Sequence, residues 1–148
     1  MTRRLVQLAA GVALIAAATL PGIARADNQD VIDYREHIMK TMGESAGALS
    51  MMMQGKAPAA DFATYAQILA VTAATAEKAF TPKVPGGEAK PDVWAKWDDF
   101  DKRIKELAAN TADLAKTAQA GGKDAAGPKL QAALTCKSCH DIYRESKK

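Results

Sequence analysis

Two cysteines and a histidine stand within five residues, in the run Cys136-Lys137-Ser138-Cys139-His140. The whole chain holds only two cysteines and two histidines, so most of its soft-ligand chemistry is gathered in that window. Paired thiols at this spacing have few uses. A disulfide between Cys136 and Cys139 would strain a helix. A dithiol redox pair belongs in a βαβ setting, and no strand pattern surrounds the run. A zinc site needs four ligands, and only His37 and scattered carboxylates remain to complete one. The remaining use is C-x-x-C-H attachment of a c-type haem. There, each thiol adds to a haem vinyl group as a thioether and the adjacent imidazole ligates the iron. Helical geometry explains the spacing. With about 100° between successive residues, Cys136, Cys139 and His140 fall within one arc of roughly 100°. The chemistry is therefore one haem c and its iron, held covalently by Cys136 and Cys139 and axially by His140.

The start of the chain fits that chemistry. Arg3 and Arg4 precede an apolar stretch from Leu5 to Leu20, then Pro21-Gly22 and an Ala24-Arg25-Ala26 cleavage pattern. This is the form of a secretory leader, residues 1–26, with the mature chain running 27–148. A membrane anchor would need a longer apolar core. In bacteria, haem is attached outside the cytoplasmic membrane, so the leader and the motif both point to the periplasm. Removing Arg3, Arg4 and Arg25, with no acid among them, takes the formal charge of +3 to zero. A neutral mature chain gives no electrostatic basis for nucleic-acid binding. After leader cleavage no membrane association is expected.

The elements that must carry the motif read as helices. The chain is rich in Ala, Lys, Leu and Met, only 5% aromatic, and has no alternating Val/Ile/Thr runs. A first segment, about 29–54, repeats Ile32, Arg35, Met39, Met42, Ala46, Leu49 and Met53 in a 3-4 pattern. Gly55 closes it. A second begins near Asp61, a candidate N-cap, and turns Phe62, Tyr65, Leu69, Ala73, Ala76 and Phe80 inward. The Pro- and Gly-rich 81–87 stretch must be a loop. A third starts at Pro91 and repeats Trp97, Phe100, Ile104, Leu107, Thr111, Leu114 and Ala118 up to Gly121-Gly122. A fourth runs from Asp124 or Pro128 to the C-terminus, with Ala133, Cys136, His140 and Tyr143 on one face. The fold class is all-α, an antiparallel four-helix bundle with covalently bound haem. No Ser-His-Asp set, phosphate loop or catalytic carboxylate pair is visible, so the chain is read as a non-enzyme.

With these motifs in place, the chain resembles the class II c-type cytochromes, the cytochrome c′ family. The specific resemblance is Cys136-Lys137-Ser138-Cys139-His140-Asp141-x-Tyr143-Arg144 so close to the C-terminus. Tyr34-Arg35-x-x-x-Met39 and Pro91-Asp92-Val93-Trp94 support it. The resemblance implies a left-handed bundle and often a homodimer built through the first two helices. It also implies that Met39, four residues after Arg35, faces the iron opposite His140.

Two functions follow from the sixth coordination position. If Met39 ligates the iron, the protein is a one-electron carrier of the low-spin, methionine-ligated branch, serving a redox partner protein. The 35–43 stretch resembles that branch more closely. If Met39 only covers the site, the protein binds a diatomic gas such as NO or CO. A methionine on such a stripe also serves as ordinary core filler, and periodicity does not separate Met39 from Met42. Arg35 is the one charge on its stripe. It pairs with a haem propionate, as the resemblance implies, or snorkels to the surface. Arg144 tunes His140 on the proximal side or favours a helix C-terminus. His37 points elsewhere and reads as solvated. Acids Asp98, Asp99 and Asp101 suit the start of a helix.

Overall fold

The computed structural model describes residues 27–146; the expected leader, residues 1–26, lies outside the described residues. The elements in chain order are α1 (Asn28–Met53), a single 3-10 turn (Ala59–Asp61), α2 (Phe62–Phe80), α3 (Asp92–Ala95), α4 (Trp97–Ala133) and α5 (Cys136–Tyr143). No strand is present among the described residues. α2 is the central element, packed along α1 on one side and α4 on the other. α4 is two helical runs joined at Gly121 and Gly122, whose backbones leave the helical region (φ/ψ −145°/16° and 64°/−157°). The chain thus reverses where the two glycines predict, and the bundle is completed by the second run of α4 together with α5.

Local chemistry sets the ends. The Asp27 side chain accepts from the Gln29 and Asp30 amides while the Asp30 side chain accepts from the Asp27 amide, a capping box that satisfies orphan donors of the first turn. At the other end Gly55 takes φ +70°. Its N–H donates to the Met52 carbonyl at 3.1 Å and Lys56 N–H to the Met51 carbonyl at 2.9 Å, a Schellman ending. Asp61 precedes α2, as expected, although its side chain makes no capping bond.

The core is built from Leu49, Phe62, Leu69, Phe80, Val93, Phe100, Ile104 and Leu114, with alanines of α2 and α4 allowing close helix approach. Each fully buried Leu or Phe contributes about 1.5–3 kcal/mol. Three details differ from the sequence reading. The buried stripe of α1 is Arg35, Met42, Ser45, Leu49 and Met52, so the inward partners of the 35/42/49 row are Ser45 and Met52 rather than Ala46 and Met53. The row keeps a 3.5-residue repeat on the side facing α2, and Met53 is instead 41% exposed. Second, the third segment breaks at Lys96 (φ −121°, ψ 45°), separating the one-turn α3 from α4. Third, the fourth segment is not continuous. Leu134 (φ −90°, ψ 62°) ends α4, so Ala133 does not share a face with the haem motif. The motif has a short helix to itself.

Candidate functional site

α5 is eight residues long and begins at Cys136. Its register places Cys136, His140 and Tyr143 at i, i+4 and i+7, with Cys139 beside them. Both cysteines are free and half-buried. Burial pushes the Cys139 thiol up to about 11, so it is protonated at neutral pH. His140 is half-buried, and burial followed by the Arg144 charge holds its pKa below the ordinary value. Among the described residues nothing hydrogen-bonds its ring. Two free thiols and a neutral, uncommitted imidazole on one short helix are the donor set that covalent haem requires, and the residues fit the group.

The end of α5 is tied to the loop between α2 and α3. Lys90 N–H donates to the Tyr143 carbonyl at 3.0 Å and Glu145 N–H to the Glu88 carbonyl at 2.8 Å, with an antiparallel bridge between Ala89 and Arg144. The Arg144 guanidinium lies 4.0 Å from the Glu88 carboxylate.

Arg35 is 3% exposed, which rules out the snorkelling reading. Its Nη2 donates to the Val84 carbonyl at 2.8 Å, Nη1 to Gly86 at 3.3 Å and Nε to Ala79 at 3.5 Å. The guanidinium carbon stands 4.9 Å from the Phe80 ring centroid and 5.0 Å from that of Trp94. Trp94 Nε1 donates to the Phe80 carbonyl at 3.1 Å. Arg35 and Trp94 together satisfy orphan carbonyls at the C-terminus of α2, where a cation also meets the helix dipole. Burial lowers the Arg35 pKa, against a smaller opposing effect of Glu36. Ile38 and Met39, one turn along α1, are partly buried against the core, whereas Met42 lies within it. His37 is exposed.

Sequence reasoning assigned Asp99 only to the helix start. Its Oδ2 also accepts from Tyr143 Oη at 2.5 Å and from Arg103 Nε at 2.7 Å. These bonds, Arg103 first, hold its carboxyl below the usual range. Asp101 pairs with Lys105 at 2.7 Å.

A bundle whose last short helix carries C-x-x-C-H defines a c-type haem protein, and relatives agree. The family model described as cytochrome c′ matches residues 30–144. Cytochrome c′ from Alcaligenes xylosoxydans is 31% identical over 126 residues, 80% of this chain and 96% of that one. Cytochrome c′ from Pararhodospirillum photometricum is 35% identical over 77% of this chain and 95% of its own. Cytochrome c-556 from Agrobacterium fabrum is 33% identical over 78% and 82%. Among solved structures, a nitric oxide complex of a variant cytochrome c prime from Alcaligenes xylosoxidans superposes with TM-score 0.74 at 28% identity, covering 82% of this chain and 99% of that one. Cytochrome c prime from Shewanella frigidimarina gives 0.75 at 27% identity, covering 82% and 99%. The chain belongs to the cytochrome c′ family, whose members carry one covalent haem c with its iron.

Proposed function

We propose that this chain is a periplasmic haem protein that takes up a diatomic gas, NO or CO, opposite His140. The observation that carries this reading is the likeness, at 28% identity, to solved relatives holding those gases. One is a ferrous cytochrome c prime with bound NO, over 83% of this chain, and another a carbon monoxide complex over 82%. Haem c, once attached, supplies a redox-active iron with one coordination position beyond His140. The rest is the work of this chain. Cys136 and Cys139 would hold the haem as thioethers, and His140 would ligate its iron. Burial and the nearby Arg144 charge favour the neutral imidazole, the form that ligates. Met39, partly buried against the core, would screen the open coordination position without offering a hydrogen-bond donor, which would favour an uncharged diatomic over water or anions. Arg35 offers a guanidinium to a haem propionate, which would share it with the Val84 and Gly86 carbonyls. Titrating the ferrous holoprotein with NO and CO by absorption tests the reading. Saturable binding of one gas molecule per haem supports it, and refusal of both gases refutes it.

A second reading is a one-electron carrier with Met39 as sixth ligand. It draws on one feature, a thioether one turn after Arg35 and partly buried against the core. A thioether ligand raises the haem potential, and such a protein would be low-spin and refuse CO until Met39 leaves. Homodimerisation through α1 and α2 is compatible with either reading.

A further inference from the structure

The haem-attachment helix has little of its own to hold it. α5 is two turns long, it follows a break at Leu134-Thr135, Thr135 gives it no side-chain cap, and Tyr143 is its sole buried residue. A free helix of that length is unstable in water. The backbone pairing with residues 88–90 anchors its last residue, and side-chain ties further along bear on its rotation about the helix axis. That rotation decides where the His140 ring points.

Two side chains of α4 reach α5. Asp99 and Arg103 stand one turn apart and are joined at 2.7 Å. Asp99 accepts the Tyr143 hydroxyl at 2.5 Å. Arg103 Nη1 reaches the Ser138 carbonyl at 3.4 Å. Ser138 precedes Cys139 and Tyr143 follows His140 by three residues, so the contacts bracket the thiol and the imidazole. The Tyr143 ring is meanwhile set edge-on to Phe100 at 5.2 Å, and Phe100 lies against Phe80 at 4.8 Å. The body of Tyr143 is therefore held by packing and its tip by Asp99.

We propose that Asp99 and Arg103 are positioning residues for the haem ligand. Through Tyr143 Oη and the Ser138 carbonyl they set the rotation of α5 and with it the plane of the His140 ring. The inference rests on covalent haem at Cys136 and Cys139 and ligation by His140, and is indifferent to gas binding or electron transfer.

The test uses purified holoprotein, wild type beside Tyr143→Phe, Asp99→Asn, their double variant, and Asp98→Asn as a control on the same turn. Tyr143→Phe keeps the ring in its packing and removes only the hydroxyl, so the fold is retained. Three quantities are read: haem per chain by mass spectrometry, haem-methyl proton shifts of the ferric protein, which follow the axial histidine plane, and the midpoint potential. Tyr143→Phe and Asp99→Asn are expected to respread the methyl shifts in the same sense and move the potential. The double variant should go no further than the larger single change, because the two residues act through one bond. Asp98→Asn should match the wild type. Haem-loaded variants with wild-type methyl shifts and potential overturn the proposal alone. A wild type without haem overturns it together with the haem reading on which it rests.

Discussion

Replacing Arg35 by methionine removes a buried cation while keeping an unbranched apolar stem. The energetic cost can be assembled from its contacts. The bond to Val84 at 2.8 Å is a charge-assisted one, worth about 1.5–3 kcal/mol net. Those to Gly86 at 3.3 Å and Ala79 at 3.5 Å are long and add less. Two ring contacts at 4.9 and 5.0 Å contribute about 0.5–1 kcal/mol each, and the charge at the end of α2 about 0.3–1 kcal/mol. Against this, methionine escapes the desolvation penalty of a buried guanidinium, which offsets a few kcal/mol of the total. The net loss is about 1–3 kcal/mol. A domain of this size should then melt on the order of 10 °C lower. Thermal unfolding of the holoprotein followed by far-UV circular dichroism measures it. Arg35→Lys should fall between, since an ammonium can meet one carbonyl but cannot span three or stack on two rings. A methionine variant within about 0.5 kcal/mol of wild type, or a lysine variant equal to wild type, would refute this account of the residue.

Three further outcomes follow from the same geometry. Burial and the Asp99 contact raise the Tyr143 phenol to about 12. Its neutral form is favoured in the fold, so the stability it adds is complete below pH 10 and lost as pH rises towards 12. Tyr143→Phe should flatten that alkaline limb in melts across pH 8–12, and an unchanged limb would count against the bond. Gly86→Ala should destabilise by about 1–3 kcal/mol, because φ is +131° and a Cβ would stand 2.6 Å from Ile32 Cδ1; a variant with the wild-type melting point would show that the loop yields freely. Leu114→Ala, at a fully buried position, should cost about 2–5 kcal/mol in denaturant titration, and a loss under 1 kcal/mol would mean that the core collapses around it.

Much of this was legible in the residues. The C-x-x-C-H spacing of Cys136, Cys139 and His140 pointed to the covalent haem that the family carries, and Gly55 and Gly122 marked where helices stop because glycine takes their positive φ (+70° and +64°) cheaply. The a/d rows named most of the core. The break at Leu134-Thr135 was not legible, since neither residue punctuates a helix. Tertiary ties at Tyr143 and the 88–90 loop accompany it. A 3-4 pattern fits rows on either side of Leu49, and only contact with α2 chooses Met52 over Met53. The Asp99–Tyr143 bond was not legible because the partners lie 44 positions apart, and an acid in a first helical turn already has a sufficient local reason. Arg35 was singled out as the lone charge on a buried row, but its loop carbonyls carry no side-chain signal to be read.

The central claim is an iron held by His140 and open to a diatomic gas beneath Met39. It is tested most directly by the rate at which ferrous holoprotein takes up CO, wild type beside Met39→Ala. The account predicts a wild-type rate that rises in proportion to CO concentration, and a faster rate, by about tenfold, when the Met39 screen is removed; that factor corresponds to about 1.4 kcal/mol of barrier. A wild-type rate that levels off independently of CO, with a low-spin spectrum that turns high-spin only in Met39→Ala, would show that Met39 is a ligand and contradict the gas-binding account.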